Sequence, residues 1–365
     1  MKIAQISPLY ESVPPKTYGG TERVVSYLTE ALIRKGHDVT LFASGDSKTN
    51  ARLISNVSEA LRLKEGVEDT LAHHIVQLQE VIERMNEFDM VHFHTDYLHF
   101  PFTYQTDTSL LTTLHGRLDI SDLQYVYNKF KKQPLVSISY AQRKPLPQAN
   151  WIANAYHGLP LDLYTQGEGN GNYLFFLGRI SHEKGPDQAI EIAKRAGMKI
   201  KIAAKIDKED QLYYHQHIKK LMKQPHVEFL GEVGEVEKTE LLTNATGLLF
   251  PIVWPEPFGM VIIESLACGT PIIAYDNGSI PEIINEDETG YIVEGIDAAV
   301  KAVERIKQLD RGRIRTIFEE RFSDDVMADN YITIYSHLLA KKTPVPSLLN
   351  KKNGKIKESD SQLVA

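Results

Sequence analysis

Four charged residues stand at spacings that could hold a charged ligand. Arg179 and Lys184 lie five residues apart in LFFLGRISHEKG, residues 174–185, just after an apolar run that ends at a glycine. Cations beyond the C-terminal end of a strand can clamp a diphosphate, the arginine as a planar fork and the lysine as a compact charge. A surface loop with solvated charges shows the same pattern. Glu256 and Glu264 form an E-x7-E pair in EPFGMVIIESLACGTPII, residues 256–273. Nearly every residue from Phe258 to Ala267 is apolar, so this helix is buried, and a carboxylate within it is costly unless something bonds to it. Pro257 suits a first helical turn, while Gly269 and Pro271 end the helix. The first free N–H groups, at Phe258, Gly259 and Met260, make an anion site, and Gly259 lets a ligand approach closely. Local pattern leaves two readings open: a ligand engages these groups, or Glu264 pairs with a buried arginine and Glu256 only complements the helix dipole.

Other candidates carry weaker signals. VHFHTDY sets His92, His94 and Asp96 in an H-x-H-x-D pattern that could co-ligate a metal, since alternate residues share a strand face. The following position is Tyr97 where binuclear hydrolases place another histidine. Cys268, the single cysteine, sits in the apolar run and reads as a core residue; it excludes an internal disulfide and fits a reducing cytoplasm.

The elements that must position these residues alternate along the chain. KIAQIS, DVTLFAS, MVHFH, LLTTLH, LVSIS and NWIAN read as buried strands, with helices such as 21–35 and 71–86 between them. The polar, glycine-rich stretch 163–173 reads as a hinge or linker. A second series follows with YLFFLG, MKIKIAA, VEFLG, GLLFP, TPIIAY and GYIV, and helices near 186–197, 208–223, 234–245, 258–268 and 296–309. Two doubly wound α/β halves result, with a cleft where the ends of both sheets converge. The expected limits are a first domain over 1–165, a second over 166–322, a helix over 323–340 that crosses back to the first, and a polar, disordered tail over 341–365.

With 365 residues and a net charge of -7, neither half is basic, so there is no electrostatic footprint for nucleic acid. No segment is long and apolar enough for a signal peptide or a membrane span. NKFKKQP, residues 128–134, is the most basic local stretch and reads as a solvated loop.

Taken together, the motifs resemble the retaining family 4 (group 1) glycosyltransferases over about residues 1–340. The resemblance runs through GGTE at 19–22, LHG at 114–116, SISYAQR at 137–143, FLGRISHEKG at 176–185, EPFGMVIIE at 256–264 and NGSIPEII at 277–284. It implies the GT-B fold, two facing Rossmann-like doubly wound domains with a C-terminal helical segment, the first binding acceptor and the second a nucleotide sugar. By the same resemblance Glu264 bonds the ribose hydroxyls, Glu256 contacts the donor sugar, and the amides of Phe258, Gly259 and Met260 face sugar and diphosphate. Arg179 and Lys184 bind phosphate, Gly19 and Gly20 belong to the loop closing over the donor, and His115 lies beside the reacting sugar. Backbone near Gly231 reads the base. Breaking the anomeric bond leaves negative charge on the diphosphate, which fixed cations and oriented amides stabilise.

The implied activity is transfer of a hexose, with UDP-glucose as the expected donor, to a hydroxyl acceptor with retention of configuration. No D-x-D occurs, so neither metal nor other cofactor is expected. Two other readings share the architecture: a UDP-sugar 2-epimerase-like isomerase and a non-catalytic sugar-nucleotide sensor. The expected acceptor is a small molecule or glycan, with Tyr97, His99, Arg117, Ser139 and Arg143 as cleft residues and Tyr10 and Tyr18 flanking the donor loop. The chain departs from the family pattern at Ser279, where a glycine is usual, and at Lys205, which reads as a third phosphate or sugar contact or a solvated lysine.

Overall fold

The computed structural model describes residues 1–16, 19–62 and 64–342. Its first seven strands are β1 (Lys2–Ile6), β2 (Asp38–Phe42), β3 (Arg52–Ile54), β4 (Met90–Phe93), β5 (Leu110–Thr113), β6 (Leu135–Ser137) and β7 (Trp151–Asn154). They form one parallel sheet in the order β3-β2-β1-β4-β5-β6-β7. Then β8 (Tyr173–Arg179), β9 (Lys199–Lys205), β10 (Val227–Gly231), β11 (Gly247–Phe250), β12 (Ile272–Tyr275) and β13 (Gly290–Val293) form a second sheet, ordered β10-β9-β8-β11-β12-β13. In each sheet the order reverses beside the first strand, at β1/β4 and at β8/β11. Helices cover both faces, which is why central strands such as GLLF and IIAY are mostly apolar and buried throughout.

Three elements differ from the sequence expectation. The edge strand β3 is short and half-exposed, so it has no apolar run by which to be read. The helix expected over 208–223 is divided into 3-10, α and π turns at Lys208–Asp210, Gln211–Tyr213, Tyr214–Ile218 and Leu221–Lys223. The apolar helix begins at Met260 rather than 258, because Gly259 takes a left-handed backbone (φ 80°) just before it.

The last helix, Asp324–Lys342, packs on the first domain after the chain has completed the second. Its Met327, Ala328, Tyr331 and Tyr335 join a core with Ile3, Leu28, Met90, Leu111 and Val136. The two crossings between domains run side by side: Leu159 donates to the Phe322 carbonyl at 2.9 Å, and Asp324 donates to the Leu159 carbonyl at 2.9 Å. A Cβ on Gly158 would stand 2.2 Å from the Ser323 carbonyl oxygen, so only glycine permits this approach. Among the described residues no helix is long and apolar enough to cross a membrane. The expected tail lies outside the described residues from 343 onward.

Gly158→Ala is therefore expected to lower the unfolding free energy by about 2 kcal/mol. Gly116→Ala, where a Cβ meets nothing within 4 Å, is expected to leave it nearly unchanged. Urea unfolding followed by circular dichroism measures both.

Candidate functional site

The strand ends at the two reversal points face one cleft, the place where doubly wound sheets bind ligands. Across it Ser139 donates to the Pro257 carbonyl at 2.7 Å, and Arg117 and Lys184 lie on the same Trp254 ring, each 5.3 Å from its centroid. Glu282 accepts from the backbone N–H groups of Tyr140 and Ala141 at 2.8 and 2.7 Å. These contacts hold the second domain against the first.

Arg179 ends β8, and Lys184 follows in a tight turn closed by left-handed Gly185 (φ 67°). A Cβ on Gly185 would lie 2.3 Å from the Pro251 carbonyl, so the turn is laid directly on the loop after β11. Val253 donates to the Glu183 carbonyl at 2.9 Å and fixes the two loops together. As a result Lys184 Nζ reaches Glu256 Oε2 at 2.5 Å. Arg179 donates to Glu183 at 2.6 Å, with Asp207 and Asp210 each at 3.7 Å. The basic pair is thus set among carboxylates. An ammonium offers three donors and a guanidinium five, so both can keep these partners and still engage phosphate oxygens. Lys205 pairs with Asp207 at 3.0 Å.

Glu264 is 4% exposed, and Lys238 Nζ donates to its Oε1 at 2.8 Å. Arg23 of the first domain approaches the same oxygen at 3.8 Å and reaches Glu235 at 2.6 Å. Lys238 also meets Glu235 at 2.7 Å, and the Tyr164 hydroxyl donates to that carboxylate. Burial works against the Arg23 charge, but Glu264 and Glu235 outweigh it and raise the guanidinium above its ordinary range. Burial would likewise raise Glu235, yet Lys238 and Arg23 hold it below its usual value. Where one of the two open readings pairs Glu264 with a single buried arginine, the structure shows a four-charge network spanning both domains. The sequence reading missed Lys238, Glu235 and Arg23; GTER and EVEK carry no signal until the fold brings them together.

The backbone around Glu256 is pinned by the residue that departs from the family pattern. Ser279 donates through its N–H to the Glu256 carbonyl at 3.0 Å and through its hydroxyl to the Phe258 carbonyl at 2.9 Å. Phe258 is buried, and the free amides of the helix start fall at Met260 and Val261, two residues later than expected. Met260 packs against the cores of both domains. Gly20 opens the helix Gly20–Arg34, and a Cβ on Gly19 would lie 2.9 Å from the Pro15 Cβ. Gly231 closes β10 at an irregular register.

His115 follows β5 at the cleft. Its Nε2 stands 2.8 Å from His94 Nδ1, and its Nδ1 is 3.4 Å from His157 Nε2. His157 in turn packs against Phe258, with ring centroids 4.9 Å apart. Burial pushes all three imidazoles below their usual range.

The acceptor candidates separate. Tyr97 is exposed, and Arg117 is paired with Asp119 at 2.7 Å while lying on Trp254. Ser139 is fully buried with its hydroxyl engaged on Pro257, so it joins the domains and presents no surface to an acceptor. Arg143 bonds the Ser137 hydroxyl at 2.7 Å and lies over Tyr140 and Trp151, away from the clamp. His99 is a core residue at 0% exposure, stacked on Phe93 at 3.7 Å between centroids, with its Nε2 2.9 Å from the Thr112 hydroxyl. Tyr10 packs on His74, and Tyr18 lies outside the described residues. His92 and His94 have both ring nitrogens engaged within the protein, while Asp96 is exposed. Among the described residues no three of His, Cys, Asp and Glu are grouped to hold a metal ion. A cavity of 670 Å³ lined by Tyr173, Lys199 and Val227 opens at the opposite, N-terminal ends of β8–β10.

Two facing doubly wound parallel domains with a C-terminal helix returning to the first define a GT-B architecture. Residues 18–153 match Glycosyltransferase Family 4 and residues 165–322 match Glycosyl transferases group 1. The chain belongs to these family 4, group 1 glycosyltransferases, enzymes that use a sugar donor. It is similar to an uncharacterized glycosyltransferase of Methanocaldococcus jannaschii, 22% identical over 92% of this chain and 98% of the relative. Among solved structures it is similar to AviGT4, a glycosyltransferase involved in avilamycin A biosynthesis, at 23% identity and TM-score 0.71, covering 93% of this chain and 98% of that one. Anabaena HepE in complex with UDP and glucose matches at 17% identity and TM-score 0.70, over 92% of this chain and 100% of its own.

The charge network makes a test of its own. Lys238→Met leaves the buried Glu264 with only the more distant Arg23, and is expected to cost about 3 kcal/mol of stability. Adding Glu264→Gln removes the unpaired charge and should recover most of that loss. A double-mutant cycle by urea denaturation measures the coupling.

Proposed function

We propose that this glycosyltransferase moves a hexose from a nucleoside diphosphate sugar, with UDP-glucose as the donor, to a hydroxyl of a small-molecule or glycan acceptor, with retention and without a metal ion. The observation that carries the reading is the Lys184–Glu256 pair at 2.5 Å, set between the end of β8 and the N-terminal side of the helix Met260–Ala267. A diphosphate placed there meets Lys184, Arg179 and the amides of Met260 and Val261, while Glu256 is left beside the sugar. The choice of UDP and glucose is supported by HepE, whose structure holds both.

In this scheme the bond from the anomeric carbon to the diphosphate oxygen breaks, and its electron pair stays on the diphosphate. Lys184, Arg179 and the helix amides stabilise that charge without reorganising. The acceptor oxygen bonds to the anomeric carbon on the same face, and its proton passes to the departing diphosphate. Glu264 exchanges part of its bonding with Lys238 for the ribose hydroxyls. Metal independence is supported by Arg179 and Lys184, two fixed cations able to carry the charge-neutralising role that a metal ion plays toward a diphosphate.

The test is release of nucleoside diphosphate from a panel of UDP-, GDP- and ADP-sugars, with and without EDTA. EDTA-insensitive release from UDP-glucose, lowered about 10²–10³-fold by Lys184→Ala or Glu256→Ala, is the expected result. Loss of release with EDTA would overturn metal independence. Conversion of the donor to another UDP-sugar would identify an isomerase, and tight binding without turnover would identify a sensor.

A further inference from the structure

Beneath the cleft lies a hydrogen-bonded chain of buried polar side chains that the proposed chemistry does not use. Gln5, at 0% exposure on β1, stands at its centre. Gln5 Nε2 donates to the Tyr335 hydroxyl at 3.1 Å, and Gln5 Oε1 lies 2.7 Å from His94 Nε2. His94 Nδ1 meets His115 Nε2 at 2.8 Å, and His115 Nδ1 meets His157 Nε2 at 3.4 Å. In the other direction the Tyr335 hydroxyl meets His92 Nδ1 at 2.8 Å. His92 Nε2 meets the Thr113 hydroxyl at 2.8 Å, and that hydroxyl meets Tyr331 at 2.8 Å. Tyr331 and Tyr335 both come from the C-terminal helix.

The proton positions along this chain are not independent. A glutamine amide has a nitrogen that only donates and an oxygen that only accepts, whereas a neutral imidazole has one nitrogen of each kind. With the Gln5 nitrogen on Tyr335, its oxygen must receive a proton from His94 Nε2. His94 Nδ1 is then bare and must accept from His115 Nε2. His115 Nδ1 is bare in turn and accepts from His157 Nε2. On the other branch the Tyr335 hydroxyl, having accepted from Gln5, has one proton and one further lone pair, so it can donate to His92 Nδ1 or accept from it, and that branch is not fixed by the amide. One orientation of one amide sets three histidines, His94, His115 and His157. Burial keeps His92, His94, His115 and His157 neutral, so no charged imidazole interrupts the order.

We propose that Gln5, oriented by Tyr335 of the C-terminal helix and acting through His94, fixes the His115 imidazole as its Nε2–H tautomer, and that Gln5, His94 and Tyr335 are positioning residues of the transfer site. The importance of His115 to transfer rests on the reading given above; the tautomer itself does not. With one ring nitrogen on His94 and the other on His157, His115 has neither left for a substrate. It serves as a clamped wall of the sugar site, held at one angle by its two neighbours, and not as a proton carrier. The returning helix, which reaches the first domain through its own apolar face, thereby has a direct hydrogen-bonded line to the reacting end of the cleft.

The test is the ring ¹⁵N spectrum of histidine-labelled protein, in which neutral Nε2–H and Nδ1–H forms are distinct, with signals assigned by His94→Gln and His115→Gln. Wild type is expected to show His115 as a single Nε2–H tautomer. Gln5→Leu should turn that signal into a mixture and lower kcat about tenfold or more, with the donor KM within about twofold, because the diphosphate clamp lies elsewhere. Tyr335→Phe, nearly isosteric, should give the same mixture if Gln5→Leu does not fold. Thr113→Val removes a hydrogen bond from the other branch and should leave the His115 signal and kcat as in wild type, which separates tautomer control from general loosening. A wild-type Nδ1–H form, a wild-type mixture, or an unchanged single tautomer in both Gln5→Leu and Tyr335→Phe would overturn the inference. Absence of any glycosyl transfer by wild type would overturn the functional reading and leave the spectrum to decide this one.

Discussion

A carboxylate buried in an apolar helix must be given positive charge, and much of the cleft follows from that obligation at Glu264. The helix Met260–Ala267 is packed on nearly every side, so water cannot solvate the group. The charge comes from Lys238 in the neighbouring helix Glu235–Asn244 and from Arg23, which belongs to the other domain. Two cations near one carboxylate call for a further anion, and Glu235 supplies it. The electrostatic needs of one residue thus draw groups of both domains together across the cleft. The pair also gives the site a way to respond, since a ligand hydroxyl or phosphate can take over part of the bonding without exposing a bare charge.

The rest of the site is built by backbone approach. The turn after β8 rests on the loop after β11 because Gly185 has no Cβ, and the loop holding Glu256 is tied from behind by Ser279. These are the features that set Lys184 and Glu256 within 2.5 Å of each other. A preorganised cation of this kind stabilises developing phosphate charge more than a mobile one would, because nothing must reorient during the reaction. On the first domain the same purpose is served by Gln142, which donates to the carbonyls of Leu114 and Gly116 at 2.8 and 2.9 Å and so fixes the loop on either side of His115.

The fold was largely legible in the sequence because parallel strands buried on both faces must be apolar without interruption, as in YLFFLG and TPIIAY. That Lys184 and Glu256 belong to one candidate site was legible because loop glycines and an E-x7-E pair are local signals. What escaped was whatever depended on distance in the chain. Lys238 looks like any helix lysine until Glu264 lies against it, and Ser139 looks like a loop hydroxyl until Pro257 arrives from the other domain. The H-x-H pattern at 92–94 can be read as a ligand pair because the groups that occupy it, Tyr335 on His92 and Gln5 and His115 on His94, come from distant parts of the chain. The edge strand β3 and the divided helix near 211–218 escaped for another reason: each is half-exposed, and neither has the periodic apolar face that makes an element readable.

The central claim is that the paired charges at Lys184–Glu256 and Lys238–Glu264 are the two ends of one nucleotide-sugar site. A crystal structure of the chain with UDP-glucose tests it most directly. The account predicts diphosphate oxygens within hydrogen-bond distance of Lys184 and the Met260 amide, ribose hydroxyls on Glu264, and glucose beside Glu256 and His115. A nucleotide bound elsewhere, with both ion pairs unchanged, would contradict it.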